Sequence, residues 1–230
     1  MSRPGTIAFV AEVRCLELSW PSTHAREVFM VTIITTSPSK TAPELGRPTF
    51  EGTLSLYRLS IDQYERMAEA GVVSKDDRIE LIDGLLVQKM VKLPPHVVCA
   101  KKTFRELECL APTGWHVAKE DPIRIPDRSS EPEPDLTVIR GEPEDYLEKN
   151  PDASAVALVV EVAESSLEFD RKVKLSIYGM AGIPIYWIVN LTDWQLEVYS
   201  EPSGEAEPSG YRRCRTLGPD DRVDLSSKAG

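Results

Sequence analysis

The run Ala155-Val156-Ala157-Leu158-Val159-Val160-Glu161-Val162 constrains this chain more than any other. It reads as an apolar strand with a carboxylate near its end. Such a carboxylate is costly unless a cation, a metal or hydrogen bonds compensate it. The same arrangement appears upstream, where Pro134-Asp135 opens the apolar strand Leu136-Thr137-Val138-Ile139. Downstream, a helix over 167–181 carries Asp170 and Lys174. Two carboxylates, one per strand, followed by a lysine on the next helix, point to a metal site built for phosphate chemistry.

The lysine can be placed by helix geometry. At about 100° per residue, Val173, Ile177, Met180 and Ala181 form one apolar stripe, and Lys174 lies on that side. Arg171 and Lys172 project outward. An inward lysine is rare unless paired. An i,i+4 pair with Asp170 contributes only about 0.2–0.5 kcal/mol, too little to explain burial. Lys174 is therefore expected to face Glu161.

The 230 residues suit one domain plus an appendage. Lys and Arg total 27 against 37 Asp and Glu, a formal charge of -10 that argues mildly against an all-over nucleic-acid binder. It leaves room for a local basic groove. From residue 131 to 170 there are 12 acidic residues against two basic ones, Arg140 and Lys149, and most of these acids read as solvated surface. The four cysteines, Cys15, Cys99, Cys109 and Cys214, show no zinc spacing. Cys99 and Cys109 are expected to be buried or half-buried thiols. No apolar run reaches 18 residues and no secretory segment is evident, so a cytoplasmic setting without membrane contact is expected.

Residues 1–50 read as a flexible N-terminal extension, 51–220 as the folded domain and 221–230 as a polar tail. Residues 1–29 are either an extended, dispensable start or a genuine extra strand or helix. Within the domain, Ser60-Ile61-Asp62-Gln63 has the form of a capping box, and Gly71 is the expected stop. Alternation around Asp83-Gly84 predicts a hairpin. Its Glu80 is expected on the solvent face, with a role at a second metal as the alternative. Pro94-Pro95 introduce a helix to residue 110 with Val97, Ala100, Phe104, Leu107 and Leu110 as its buried stripe. His96, in its first turn, is expected to be a cap or a packed residue, with substrate contact the lesser reading. Strands follow at 115–120, 123–125, 185–189, 194–199 and 211–217. The order predicts an α/β (α+β) fold, a mixed sheet flanked by helices. A glycine-rich phosphate loop and a nucleophile elbow are both missing from the sequence.

Taken together, Glu80-Leu81-Ile82-Asp83-Gly84, His96, Pro134-Asp135, Val159-Val160-Glu161-Val162, Asp170-x-x-x-Lys174-x-x-x-Tyr178 and Ala181-Gly182-Ile183-Pro184-x-Tyr186-Trp187-Ile188-Val189 resemble the Uma2 family of the PD-(D/E)XK nuclease superfamily. The resemblance covers about residues 55 to 220. It implies a restriction-endonuclease-like core with a divalent metal, Mg²⁺ or Mn²⁺, at one end. It implies a metal-dependent endonuclease acting on DNA, from a family mostly bacterial, and leaves room for a homodimer. Asp135 matches the aspartate after proline and Glu161 the acid of E-x-K. Ala163 stands where the motif lysine would be, and Lys174 takes its place from the following helix. Glu164-Ser165-Ser166 departs from the usual Ser-Pro-Ser and puts the loop geometry in question.

The chemistry suits these residue types. Phosphodiester hydrolysis needs an activated water and a counter-charge for the developing anion. Mg²⁺ takes one or two carboxylates and leaves its other positions to water and phosphate. Asp135, Glu161 and the backbone carbonyl of Val162 are the implied metal ligands, and Asp135, Glu161 and Lys174 the implied catalytic group. On the residues alone, a buried Glu161–Lys174 ion pair with Asp135 capping a loop is the simpler reading; the resemblance reverses that preference. A non-catalytic DNA-binding or dimer-forming module on the same fold remains the alternative.

Overall fold

The structure is a computed structural model whose described residues are 8–14, 55–204, 209–219 and 221–226, with backbone alone for 8–14 and 224–226. Most of the expected extension, residues 1–7 and 15–50, lies outside them, as do 51–54 of the expected domain and 227–230 of the expected tail. The chain divides into two units, Met1–Glu17 with Arg58–Gly230 and Leu18–Tyr57, and every element below belongs to the first.

Strand β1 (Ala8–Arg14) comes from the extension. Helix α1 (Ile61–Glu69) follows, then the hairpin of β2 (Ile79–Ile82) and β3 (Leu85–Gln88), then α2 (Pro94–Leu110). Strands β4 (Trp115–Ala118), β5 (Leu136–Arg140) and β6 (Val156–Ala163) lead into helix α3 over 167–180. Strands β7 (Ile185–Asn190), β8 (Gln195–Pro202), β9 (Tyr211–Leu217) and β10 (Arg222–Ser226) complete the chain. Six strands form one sheet in the order β4-β5-β6-β7-β8-β9, antiparallel except for the parallel pair β6–β7. A parallel pair needs a long crossover, and α3 provides it. β1 and β10 pair antiparallel as a separate ribbon, so a strand stands in part of the expected extension and another in part of the expected tail.

Local chemistry explains the boundaries. Ser60 and Gln63 exchange both capping-box hydrogen bonds at the start of α1. Its end is closed by Val72 N–H to the Met67 carbonyl and Gly71 N–H to that of Ala68, with Gly71 at φ +68°. Asp83 and Gly84 turn the hairpin with φ of 48° and 76°, as a two-residue connection of this hand requires. The expected strand at 123–125 forms only isolated bridges, Arg124 to Asp152 and Ile125 to Ser130. Pro122 and Pro126 bracket it and remove the donors that would extend a ladder.

All eight residues of β6 are buried. Alternation divides them between two layers. Val159 and Ala163 pack with Ile177 and Tyr178 of α3; Leu158 and Val160 pack with Leu107 of α2. Each large apolar side chain buried this way contributes about 1.5–3 kcal/mol, so the central strand anchors both layers. The α2 stripe centres on His96, Cys99, Ala100, Thr103 and Leu107. The expected Val97, Phe104 and Leu110 lie at its margins. Cys99 is buried as expected, but Cys109 is exposed. Among the described residues no helix is long and apolar enough to cross a membrane.

The hairpin tip is docked. Gly84 N–H donates to the Ser129 carbonyl at 2.8 Å and the Gly84 carbonyl accepts from Leu59 N–H at 2.8 Å. A Cβ on Gly84 would lie 2.6 Å from the Arg58 Cβ and 2.9 Å from the Leu59 carbonyl oxygen. Gly84→Ala is expected to lower stability by about 1–3 kcal/mol through this crowding and the positive φ, measurable as a lower urea midpoint.

Candidate active site

Alternation puts Glu161 on the α3 face of β6, with Val159 and Ala163. Leu136 pairs with Val160 in the β5–β6 register, so the residue before β5, Asp135, comes to the same end of the sheet as Glu161. Both are buried, at 5% exposure. They line one cavity of about 220 Å³ together with Glu80, Lys92, His96, Val162, Asp170 and Lys174.

The hydrogen bonds show how each charge is held. Lys174 Nζ donates to Glu161 Oε1 at 2.9 Å, and the Tyr178 hydroxyl donates to the same oxygen at 2.9 Å. Lys174 Nζ also lies 3.3 Å from Glu80 Oε1. Glu80 Oε2 accepts from Glu133 N–H at 3.0 Å. Asp135 Oδ2 accepts from Val162 N–H at 2.8 Å and from His96 Nε2 at 3.1 Å. Its Oδ1 accepts from Lys92 Nζ at 2.7 Å. Asp170 Oδ2 accepts from the Ser166 hydroxyl at 2.7 Å.

The site residues expected from the sequence therefore meet at one cavity, with corrections. Glu80 does not face solvent: it is 3% exposed and turns toward Lys174. Its strand is held at that depth by the Glu131 N–H to Leu81 carbonyl bond. His96 is packed, but its ring also joins Asp135. At Val162 the group joined to Asp135 is the N–H; its side chain packs with Cys99 and Ala100. Lys174 points inward and Lys172 is exposed, as the helical wheel requires. Yet 170–174 is wound as a π-helix, wider than the wheel assumes, and this turn buries Asp170 beside Lys174. Of the 12 acids between 131 and 170, Glu131, Asp135, Glu161 and Asp170 are buried. The sequence reading missed Asp170, Tyr178 and Lys92 as members of the site. The signal for the first two lay in Asp170-x-x-x-Lys174-x-x-x-Tyr178; Lys92 has no spacing that marks it.

Apart from the Lys89–Glu133 ion pair and the exposed Glu164 on the same lining, four buried carboxylates (Glu80, Asp135, Glu161, Asp170) face two lysines, Lys92 and Lys174. That imbalance divides the protons. Burial pushes Glu161 up to about 8, against the pull of Lys174, and repulsion from Asp170, Asp135 and Glu80 adds to it. Burial likewise lifts Asp170 to about 6. Burial would also raise Asp135, but the His96 hydrogen bond and the Lys92 charge outweigh it and bring it to about 2. For Lys174, burial works against the charge, but Glu161, Glu80 and Asp170 more than offset it and hold the ammonium protonated.

Among the described residues no three His, Cys, Asp or Glu side chains are arranged as a ready set of metal ligands. In kind, however, the donors fit a hard divalent cation. They are carboxylate oxygens in a buried setting, and the two lysines leave a formal deficit of two positive charges. A Glu161 kept partly neutral by its neighbours is a group that an added cation would return to its charged form.

These shifts fix a pH dependence for the metal-free protein. A carboxyl raised in the folded state stabilises below its unfolded value and loses that contribution as pH rises through the folded one. Glu161 acts this way between 4.5 and about 8. Asp135 acts in the opposite sense: its contribution is present above 3.8 and is lost as pH falls toward about 2. With a chelator present, stability is expected to decline from pH 5 to 8 in the wild type and to decline less in Glu161→Gln, read by urea denaturation across that range.

The Uma2 family model, described as "Putative restriction endonuclease", matches residues 61–228. A solved structure from Anabaena variabilis ATCC 29413, titled as a "putative nuclease belonging to DUF820", superposes with a TM-score of 0.52 at 13% identity, covering 71% of this chain and 85% of that one. At that identity the likeness shows the fold. A search of curated proteins found no match. The mixed sheet flanked by helices is the restriction-endonuclease-like architecture, and with the family model spanning nearly all of the folded unit, the chain belongs to the Uma2 family of the PD-(D/E)XK nuclease superfamily.

Proposed function

We propose that this protein is a metal-dependent endonuclease that hydrolyses phosphodiester bonds in DNA. The observation that carries this reading is the convergence of the buried side chains of Glu80, Asp135, Glu161 and Lys174 on one cavity. Mg²⁺ or Mn²⁺, held by Asp135, Glu161 and the Val162 carbonyl with Glu80 as a further donor, would supply an activated water and a counter-charge for the phosphate. The chain's own contributions follow from its electrostatics. Lys174 stays protonated between Glu161 and Glu80, so it orients the water and neutralises phosphate charge instead of removing a proton. Tyr178 fixes the same Glu161 oxygen that Lys174 touches, which limits its rotation. His96 holds Asp135 from the α2 side and stands at the wall where substrate would lie.

One observation favours the non-catalytic alternative. Asp135 and Glu161 are already paired with lysines, as they would be in a decayed site that keeps its fold. Calorimetry separates the two readings: a decayed site binds neither Mg²⁺ nor Mn²⁺ above background.

The direct test is cleavage of duplex, single-stranded and branched DNA, and of RNA, with and without Mg²⁺ or Mn²⁺. Asp135→Ala and Glu161→Ala are each expected to abolish cleavage and weaken metal binding while the fold survives. Cleavage by both at the wild-type rate would refute the assignment. Lys174→Met keeps most of the packing stem and is expected to lose cleavage by about 10²-fold or more with metal binding retained, whereas the exposed Lys172→Met changes little. Glu80→Gln is expected to lower activity most at low metal concentration; an unchanged metal titration would remove Glu80 from the site.

A further inference from the structure

Lys92 is unlike Lys174, the buried cation of the cavity. Lys174 is locked, with its side chain 8% exposed between two glutamates. Lys92 is 29% exposed and sits on the segment between β3 and α2, where its neighbours Val91 and Leu93 are 68% and 49% exposed. The segment is tied at its start, where Arg78 donates to the Met90 carbonyl at 2.7 Å and Lys89 N–H donates to the Arg78 carbonyl at 2.7 Å, but the side chains that flank Lys92 pack little. Its ammonium reaches Asp135 Oδ1 at 2.7 Å and has a second carboxylate in range, Glu120 Oε1 at 3.4 Å.

The other oxygen of Asp135 is occupied from within the fold, by Val162 N–H and His96 Nε2. The first is a backbone group of β6 and the second a buried side chain of α2. Oδ1 is therefore where a cation from solvent gains Asp135, and Lys92 stands there. A divalent ion and an ammonium on one oxygen repel each other, and the lysine is the partner free to leave.

We propose that Lys92 is a displaceable counter-cation of Asp135. It occupies the approach to Oδ1 until a divalent cation enters, and then swings toward the cavity mouth, where it meets a substrate phosphate. It is a positioning residue that keeps Asp135 charged and oriented while the metal is absent. The second half of this role rests on the nuclease reading above; the displacement does not.

The test compares metal binding and cleavage in the full chain. Mn²⁺ and Mg²⁺ are titrated by calorimetry, without nucleic acid, into the wild type, Lys92→Met and Lys119→Met. Lys119 carries an equal charge and shares Glu120 with Lys92, at 3.3 Å, but has no contact with Asp135 among those the structure gives it. Lys92→Met is expected to bind metal about fivefold more tightly, the size of one partly exposed ion pair released, and Lys119→Met less than half as much. In cleavage at saturating metal, Lys92→Met is expected to raise KM more than it lowers kcat. Unchanged or weaker metal binding by Lys92→Met overturns the proposal, because a lysine that merely supports Asp135 would give that result. Equal tightening by Lys119→Met also overturns it, since the effect would then be general charge. Tighter binding by Lys92→Met with no cleavage by any form supports the displacement and refutes the nuclease reading instead.

Discussion

The cost of burying Glu161 in an otherwise apolar strand organises this molecule. Each face of β6 is covered, so the carboxylate has no route to water along its own strand. Its partners must come from elsewhere in the chain, and they do: Lys174 and Tyr178 from α3, with Glu80 of the first hairpin on the far side of the lysine. A lone buried charge is strongly unfavourable, and a paired one holds only while its geometry persists. The docking of α3 over the sheet and the docking of the hairpin are thus coupled through one ammonium group.

The same group accounts for the departure from the common E-x-K arrangement. A residue two positions after Glu161 lies on the same face of the strand. Here it is Ala163, fully buried beneath α3. A lysine there would have to share that space with the helix. Bringing the cation from α3 lets a small residue pack at 163 while the charge still reaches the same face. The π-wound turn at Asp170–Lys174 belongs to this arrangement, since it carries an acid and a base into the cavity from one turn. Such local widening recurs at functional sites.

A second line of coupling runs through Asp135. The segment from 128 to 135 is tied to the hairpin at several points: Arg128 with Asp83, Ser130 with the Asp83 backbone, Glu131 with Leu81 and Glu133 with Glu80. These bonds set where the chain enters β5. Asp135 sits at that entry, held from the sheet by Val162 and from α2 by His96. Three elements distant in sequence thus converge on one carboxylate, whose low proton affinity comes from the His96 hydrogen bond and the Lys92 charge.

The sequence by itself determined most of the elements and brought forward Asp135, Glu161 and Lys174 as candidates for the site. The capping box at Ser60, the Asp83-Gly84 hairpin and the apolar runs of β6 and β7 depend on neighbours within a few residues, and such interactions are written locally. The inward aim of Lys174 was legible for the same reason, because helical spacing fixes direction. Tertiary structure decided what those directions meet. Glu80 looked like one polar residue in an alternating strand; only the docking of the hairpin against 130–133 turned that face inward. The short 123–125 run looked like a strand, but two prolines left it no ladder to join. Cys109 shares a helix with Cys99 yet faces solvent, because the sheet covers one side of α2 alone. Lys92 carries no pattern at all, since its role comes from a partner 43 residues away. Charges are the least legible part of the site, because their state depends on the sum of neighbours that only the folded chain assembles.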